Sequence, residues 1–467
     1  MSSLKQFLDA SRGEFEEELC ELLRIRSVSA DRQYRGELQR AAEWLLAQFR
    51  DLGFSSEIAS TEGIPVVYAE SPPVPGAPTV LVYGHYDVQP PEPLEEWKSP
   101  PFEPQRRKGN LYARGASDDK GQLLTHLKSA QAWLKTAGSL PLQLKYVIEG
   151  EEEVGSATLT QFLTEHGDRL ACDAVVISDS CQFGPGCPAI TYGLRGIAYF
   201  EVRLTGPDHD LHSGTFGGPV VNPVNALARL LASLTDSRGR IKIPGFYDEV
   251  APLTDRERQQ LAGLPFSERA FKQQIGVTAL GGEAGYSTLE RRWARPTFDI
   301  HGVWGGYQGE GGKTVLPSRA GAKFSFRLVP RQDPKKVAES LRQFLRSRCP
   351  RGVRMELVEM HGAPGVVMSL DSPYMAAASA AIERAFGRAP VFIREGGSIP
   401  IVTQFRQALG VDVLLLGWGL EDDNTHAPNE KLALEDFHRG TLASAFLWEE
   451  LSKINKPASD AGSQIHR

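Results

Sequence analysis

Asp118 stands in Ala113-Arg114-Gly115-Ala116-Ser117-Asp118-Asp119-Lys120-Gly121, just ahead of a stretch with helical periodicity, and a carboxylate there can bridge two metal ions. Such a bridge needs further ligands. Candidates recur along the chain: His85 and Asp87 in Gly84-His85-Tyr86-Asp87-Val88, Glu151 and Glu152 in Glu149-Gly150-Glu151-Glu152-Glu153, Asp179 after Ser178, and His426 after Asp422-Asp423-Asn424-Thr425. A neutral imidazole at His85 can ligate a metal, and the acid two residues on can bond its second ring nitrogen or tune the metal. Adjacent side chains at a strand end project to different sides, so of Glu151 and Glu152 one can hold a metal while the other faces a reacting water. Each residue also has an ordinary use available: Asp118 or Asp119 as a helix cap, the glutamates as a solvated turn, His426 as a loop histidine. Their joint placement argues against those uses.

That placement follows from the elements. The apolar run Thr79-Val80-Leu81-Val82-Tyr83 predicts a buried strand, and so do 142–148, 174–177 and 411–416. Each runs into one of the polar clusters, as expected where an open α/β sheet binds ligands past the carboxyl ends of its strands. Amphipathic helices are predicted over 14–26, 38–49 and 122–136. One sheet is therefore assembled from both ends of the sequence. Between them the order is strand 196–204, helix 222–234, strand 297–303, strand 320–329, helix 335–347 and strand 353–359, a ferredoxin-like β-α-β-β-α-β unit. It carries a charged, glycine-containing insertion over about 236–296. The expected fold class is α/β: a mixed, mostly parallel sheet domain formed by 1–192 and 363–467, interrupted by a smaller domain over 193–362.

At 467 residues two domains are the ordinary expectation. Hydrophobic residues at 41% and charged residues at 24% are globular usage. The formal charge of −6 has no long single-sign run behind it, and no basic stretch is interleaved with aromatics, which argues against nucleic acid as a partner. No signal-peptide core or membrane span is evident, so a cytoplasmic location is expected. The five cysteines, Cys20, Cys172, Cys181, Cys187 and Cys349, form neither a Cys-x-x-Cys pair nor an even set, so neither disulfides nor a thiolate metal site is expected. Gly306-Tyr307-Gln308-Gly309-Glu310-Gly311-Gly312-Lys313-Thr314 has the look of a phosphate loop, but the required spacing puts Tyr307 where its first glycine belongs, and Pro317 follows where a helix should begin.

The ordered set His85, Asp87, Asp118, Glu151, Glu152, Asp179 and His426 resembles the dinuclear metallopeptidase superfamily of carnosinases, non-specific dipeptidases, acetylornithine deacetylase, succinyl-diaminopimelate desuccinylase and glutamate carboxypeptidases. The resemblance is strongest to the carnosinase and dipeptidase branch. It is carried by Gly84-His85-Tyr86-Asp87-Val88-Gln89-Pro90, the Asp118 motif, Glu395-Gly396-Gly397-Ser398-Ile399-Pro400 and His426-Ala427-Pro428-Asn429-Glu430-Lys431. It implies two divalent metal ions, zinc first and manganese or cobalt otherwise, with Asp118 as bridge, His85 and Asp179 at one ion, and Glu152 and His426 at the other. Asp87 would tune the first site, and Glu151 would be the general base acting on a bridging hydroxide. A cis peptide between Asp118 and Asp119 is implied as well.

In the inserted domain, read from the resemblance as a lid and dimerisation unit, His212 would stabilise the oxyanion in the active site of the partner subunit. Arg327 would hold a substrate carboxylate, and Thr314, Glu395 and Ser398 would complete the substrate contacts, Glu395 facing a free amine. The implied activity is hydrolysis of dipeptides or short peptides by a homodimer. An N-acyl-amino-acid deacylase is the alternative, opposed by Glu395, whose charge suits an ammonium. A non-enzymatic metal-binding protein is the third reading, opposed by the intact set of site residues.

Overall fold

The computed structural model describes residues 2–59, 63–397 and 399–454. They divide into two compact units. One comprises Met1–Tyr192, Met368–Ile393 and Gln404–Arg467, and the other Gly193–Val367 with Arg394–Thr403. The sequence boundaries put everything after 362 into one closing segment of the first domain, whereas Arg394–Thr403 groups with the second unit.

In the first unit the strands Gln143–Glu149, Thr79–His85, Ala174–Ile177 and Asp412–Gly417 lie side by side in that order, all parallel. Beyond one edge Val66–Glu70 runs antiparallel to Gln143–Glu149 and Ser55–Ala59 antiparallel to Val66–Glu70, while Ala189–Leu194 lies antiparallel beside Asp412–Gly417. A strand covered on both faces has no solvent side. Val80, Leu81, Val82 and Tyr83 are accordingly all buried, as are Val175, Val176, Leu414 and Leu415. Each such aliphatic side chain contributes ~1.5–3 kcal/mol through its removal from water. Helices Arg12–Leu23, Arg35–Asp51, Lys120–Ala137 and Leu434–Ser452 supply further buried faces, with Leu19, Leu38, Leu127 and Leu447 among them. Parallel strands share a direction, so the carboxyl ends of the four central ones lie along one side of the sheet.

In the second unit the spatial order is Thr297–Gly305, Arg319–Leu328, Gly196–Thr205 and Arg354–Ala363, with every neighbour antiparallel. This is the ferredoxin-like order. Helices Pro223–Ala232 and Pro334–Arg346 contribute Leu227 and Leu341 to a core with Phe200, Phe324 and Phe326. Elsewhere on this sheet Tyr199 stacks between His301 and His361, at centroid distances of 5.1 and 5.0 Å. The insertion holds three short helices, Asp255–Ala262, Glu268–Gln274 and Thr288–Trp293. The first and last begin with reciprocal Thr254–Glu257 and Ser287–Glu290 capping boxes. The glycine-rich run 306–314 leads into the strands Val315–Leu316 and Arg319–Leu328, not into a helix. Among the described residues no helix is long and apolar enough to cross a membrane.

Candidate metal centre

His85 ends its strand with a fully buried ring. Its Nδ1 lies 3.1 Å from the Asp87 carbonyl oxygen and 3.3 Å from Asp87 Oδ1, which leaves Nε2 for a metal. Asp87 has a second task. Its Oδ1 accepts the Glu152 N–H at 3.3 Å and its Oδ2 the Glu153 N–H at 3.1 Å, so one carboxylate orients an imidazole and shapes the turn after the next strand.

Asp118 faces two histidines at once: Oδ1 is 3.1 Å from His85 Nε2, and Oδ2 is 2.9 Å from His426 Nε2. Its peptide bond to Asp119 is cis. Asp119 begins the Lys120–Ala137 helix without a side-chain cap, and its Oδ2 instead accepts the His85 N–H at 3.2 Å. The loop before Asp118 is drawn onto Glu430. That buried carboxylate accepts from Arg114 Nη1, Gly115 N, Ser117 N and Asp118 N at 2.8, 2.8, 2.9 and 3.1 Å. His426 sits at φ 61°, in the left-handed region, within a loop stitched to its surroundings. Asn429 donates to Glu96 O at 2.8 Å, Lys431 Nζ to Asp423 at 2.8 Å, and Ser117 Oγ to Asp423 at 3.0 Å.

Two groups of potential ligands result: His85, Asp118 and Asp179, and Asp118, Glu153 and His426, the ligand atoms of each lying within 4.8 Å of one another. The second corrects the sequence reading, which put Glu152 beside His426 and made Glu151 the base. Glu151 is spent on structure, since its Oε1 accepts the Ile64 N–H at 3.1 Å and its Oε2 the Thr158 N–H at 2.9 Å. Glu153 Oε2 lies 3.3 Å from His426 Nε2 and accepts from Gln89 at 2.7 Å. Glu152, between them in sequence, has its carboxyl largely buried in the field of His85, Asp179, Glu153 and Asp118. The strand ends at Glu149, one residue later than expected. Glu153, Glu430 and Gln89 were legible only as members of motifs, with no signal separating them from their neighbours.

The donor set fits a pair of divalent cations. It is imidazole and carboxylate throughout, and Asp118 offers one oxygen to each group. His85 Nε2, although buried, makes no hydrogen bond of acceptable geometry. The electrostatics agree. Burial pushes Glu152 up to about 8, and the carboxylates of Asp118 and Glu153 draw His426 up to about 10. Burial alone would raise Asp118, yet His426 and His85 hold it below its ordinary value. So many partly buried acids facing one another call for positive charge, which bound cations would supply.

The description "Peptidase family M20/M25/M40" matches residues 81–450, a span that contains every residue of the centre. The chain belongs to this peptidase family. Among its relatives, the Cys-Gly metallodipeptidase dug1 of Schizosaccharomyces pombe is 33% identical over 471 residues, covering 97% of this chain and 99% of that one. The Beta-Ala-His dipeptidase of Homo sapiens is 33% identical over 470 residues, covering 96% and 92%. The solved structure of the di-peptidase Dug1p from Saccharomyces cerevisiae superimposes with a TM-score of 0.84 at 33% identity, covering 97% of this chain and 99% of that one.

Of the remaining expected site residues of this M20-family peptidase, His212, Thr314, Arg327 and Glu395 belong to its second unit. His212 is exposed, and its Nδ1 accepts the Gly214 N–H at 3.0 Å. The two-residue strand Leu211–His212 pairs with Val315–Leu316, and Ser213 N donates to Thr314 O at 3.1 Å, which brings His212 and Thr314 together. Arg327 lies on Arg319–Leu328 opposite Thr297 and Ile197, in the field of Asp299. Glu395 closes the strand Val391–Glu395. Ser398 lies outside the described residues.

Proposed function

We propose that this chain is a metallodipeptidase that hydrolyses the peptide bond of dipeptides and short peptides with a free amino terminus. The observation that carries the reading is the pair of histidine–carboxylate groups sharing Asp118. Two divalent cations bound there, zinc first and manganese or cobalt otherwise, supply Lewis acidity and an acidified water. His85 and Asp179 would hold one, Glu153 and His426 the other, and Asp118 both. Glu152 is the general base: its carboxylate takes the proton of the attacking water as the C–O bond forms, then returns it to the amine nitrogen as the C–N bond breaks. Asp87 keeps His85 in the tautomer that presents Nε2.

The second unit supplies substrate recognition and acts as a lid. Arg327 pairs with the terminal carboxylate, Glu395 with the ammonium, and Thr314 and Ser398 complete the contacts. The enzyme works as a homodimer in which His212 stabilises the oxyanion in the active site of the partner subunit. None of the five cysteines is joined in a disulfide, which suits a cytoplasmic, reducing location.

The deciding experiment strips the protein with chelator, restores zinc or manganese, and compares free-amine dipeptides with their N-acylated counterparts. Metal-dependent cleavage of the free-amine series alone is expected. Cleavage confined to the acylated series would make the enzyme a deacylase, and no cleavage by metal-loaded protein would remove the enzymatic reading.

A further inference from the structure

The segment that carries Glu395 is held by the insertion. Arg394 and Glu395 are successive residues of one strand and therefore project to opposite faces. On its own face Arg394 meets Glu257, an ion pair whose side chains retain only 11% and 19% exposure. Glu257 is the N3 residue of the Asp255–Ala262 helix. Its Oε1 takes Arg394 while its Oε2 accepts Thr254 N at 3.0 Å and Thr254 Oγ1 at 3.1 Å. The carboxylate is thereby fixed from its own helix before Arg394 engages it.

Three hydrogen bonds from Arg195 close the seat. Arg195 N donates to Glu395 O at 3.3 Å and Arg195 Nε to Gly396 O at 3.1 Å, while Arg195 Nη1 reaches Arg295 O at 3.3 Å, at the end of the insertion. A Cβ at Gly396 would lie 2.9 Å from both the Arg292 carbonyl oxygen and the Arg195 guanidinium, so only glycine lets the chain lie this close to the insertion. A Cβ at Gly193 would likewise crowd the Arg394 stem at 3.1 Å.

We infer that Glu257 is a positioning residue for substrate recognition: through Arg394 it sets where the Glu395 carboxylate stands, and so how tightly a substrate ammonium is held. This gives the 236–296 insertion a role in selecting free-amine substrates. The inference rests on the assignment of Glu395 to the ammonium.

The test is steady-state kinetics on the metal-loaded full-length enzyme with a free-amine dipeptide. Glu257→Gln keeps the size and the cap's hydrogen-bonding capacity but removes the charge, and a KM rise of about tenfold with little change in kcat is expected, the signature of lost binding common to ground and transition states. Ser287→Ala, which weakens the other capping box of the insertion without touching Glu257 or Arg394, should leave KM unchanged and so serves as the control for a merely structural effect. In the double variant Glu257→Gln with Glu395→Gln, the loss should equal that of Glu395→Gln alone, because both act through one contact. Exchanging the charges, Glu257→Arg with Arg394→Glu, should recover part of the affinity. A wild-type KM in Glu257→Gln, or losses that multiply in the double variant, overturns the inference while leaving the dipeptidase reading intact. A metal-loaded wild-type enzyme that ignores free-amine dipeptides overturns both.

Discussion

Three consecutive glutamates have three different sets of partners, and the hydrogen bonds to their backbones and side chains separate them. Glu151 has both oxygens committed to the N–H groups of Ile64 and Thr158, whereas Asp87 takes the N–H groups of Glu152 and Glu153 and so turns those two residues as a pair. Glu152→Gln should therefore keep both metals, measured by elemental analysis, while kcat falls by a factor on the order of 10²–10⁴ for loss of a general base. Glu151→Gln should do the reverse, lowering the melting temperature with kcat/KM near wild type. If Glu151→Gln instead loses turnover at an unchanged melting temperature, the assignment within the run is wrong by one residue. Nothing in a run of identical residues distinguishes its members, since their chemistry is the same and only their partners differ. Those partners are remote in sequence: Ile64 lies 87 positions before Glu151, and His426 lies further still from Glu153.

At the scale of elements, the centre depends on loops held from a distance. Glu430 gathers Arg114 and the N–H groups of Gly115, Ser117 and Asp118, four residues after His426 in its own loop, so it ties ligands from two loops together. Glu430→Gln should weaken zinc binding by about 10–100-fold, the usual effect of losing an outer partner of a ligand, read by competition with a chromophoric chelator. The Lys120–Ala137 helix carries a second testable group. Burial holds His126 down at about 3, with its Nε2 2.8 Å from Ser178 Oγ. The folded chain thus keeps this ring neutral where the unfolded chain takes up a proton. Its contribution to stability is whole above its ordinary value of 6.5 and is lost progressively as pH falls from there toward 3. His126→Gln, which cannot titrate, should lose less melting temperature than wild type between pH 7 and pH 5. An equal loss in both proteins would mean the ring is not kept neutral.

At the scale of the whole molecule, two outcomes test the assembly. Metals that bind only the folded chain stabilise it by about 2.7 kcal/mol at a hundredfold excess over Kd, so chelation should lower the melting temperature and zinc or manganese should restore it. Mixing inactive His212→Ala and Glu152→Gln subunits should recover about a quarter of wild-type activity, because half the dimers are mixed and each has one complete site. No recovery in demonstrably mixed dimers would put His212 in its own subunit's site. The four central strands of the first unit, the β-α-β-β-α-β order of the second and the polar residue types past the strand ends were legible in the sequence, whereas the flanking strands Ser55–Ala59, Val66–Glu70 and Ala189–Leu194 were not. Hydrophobic runs such as Thr79-Val80-Leu81-Val82-Tyr83 and the punctuation after them are local signals, and they put His85 and Asp179 just where their strands end. Tertiary structure alone decided which glutamate meets His426, that Asp87 serves an imidazole and a turn together, and that Arg394–Thr403 belongs with the second unit. Each of those outcomes is a hydrogen bond or ion pair between residues remote in the chain, and a side chain's partner is set by where the backbone carries it, not by its type.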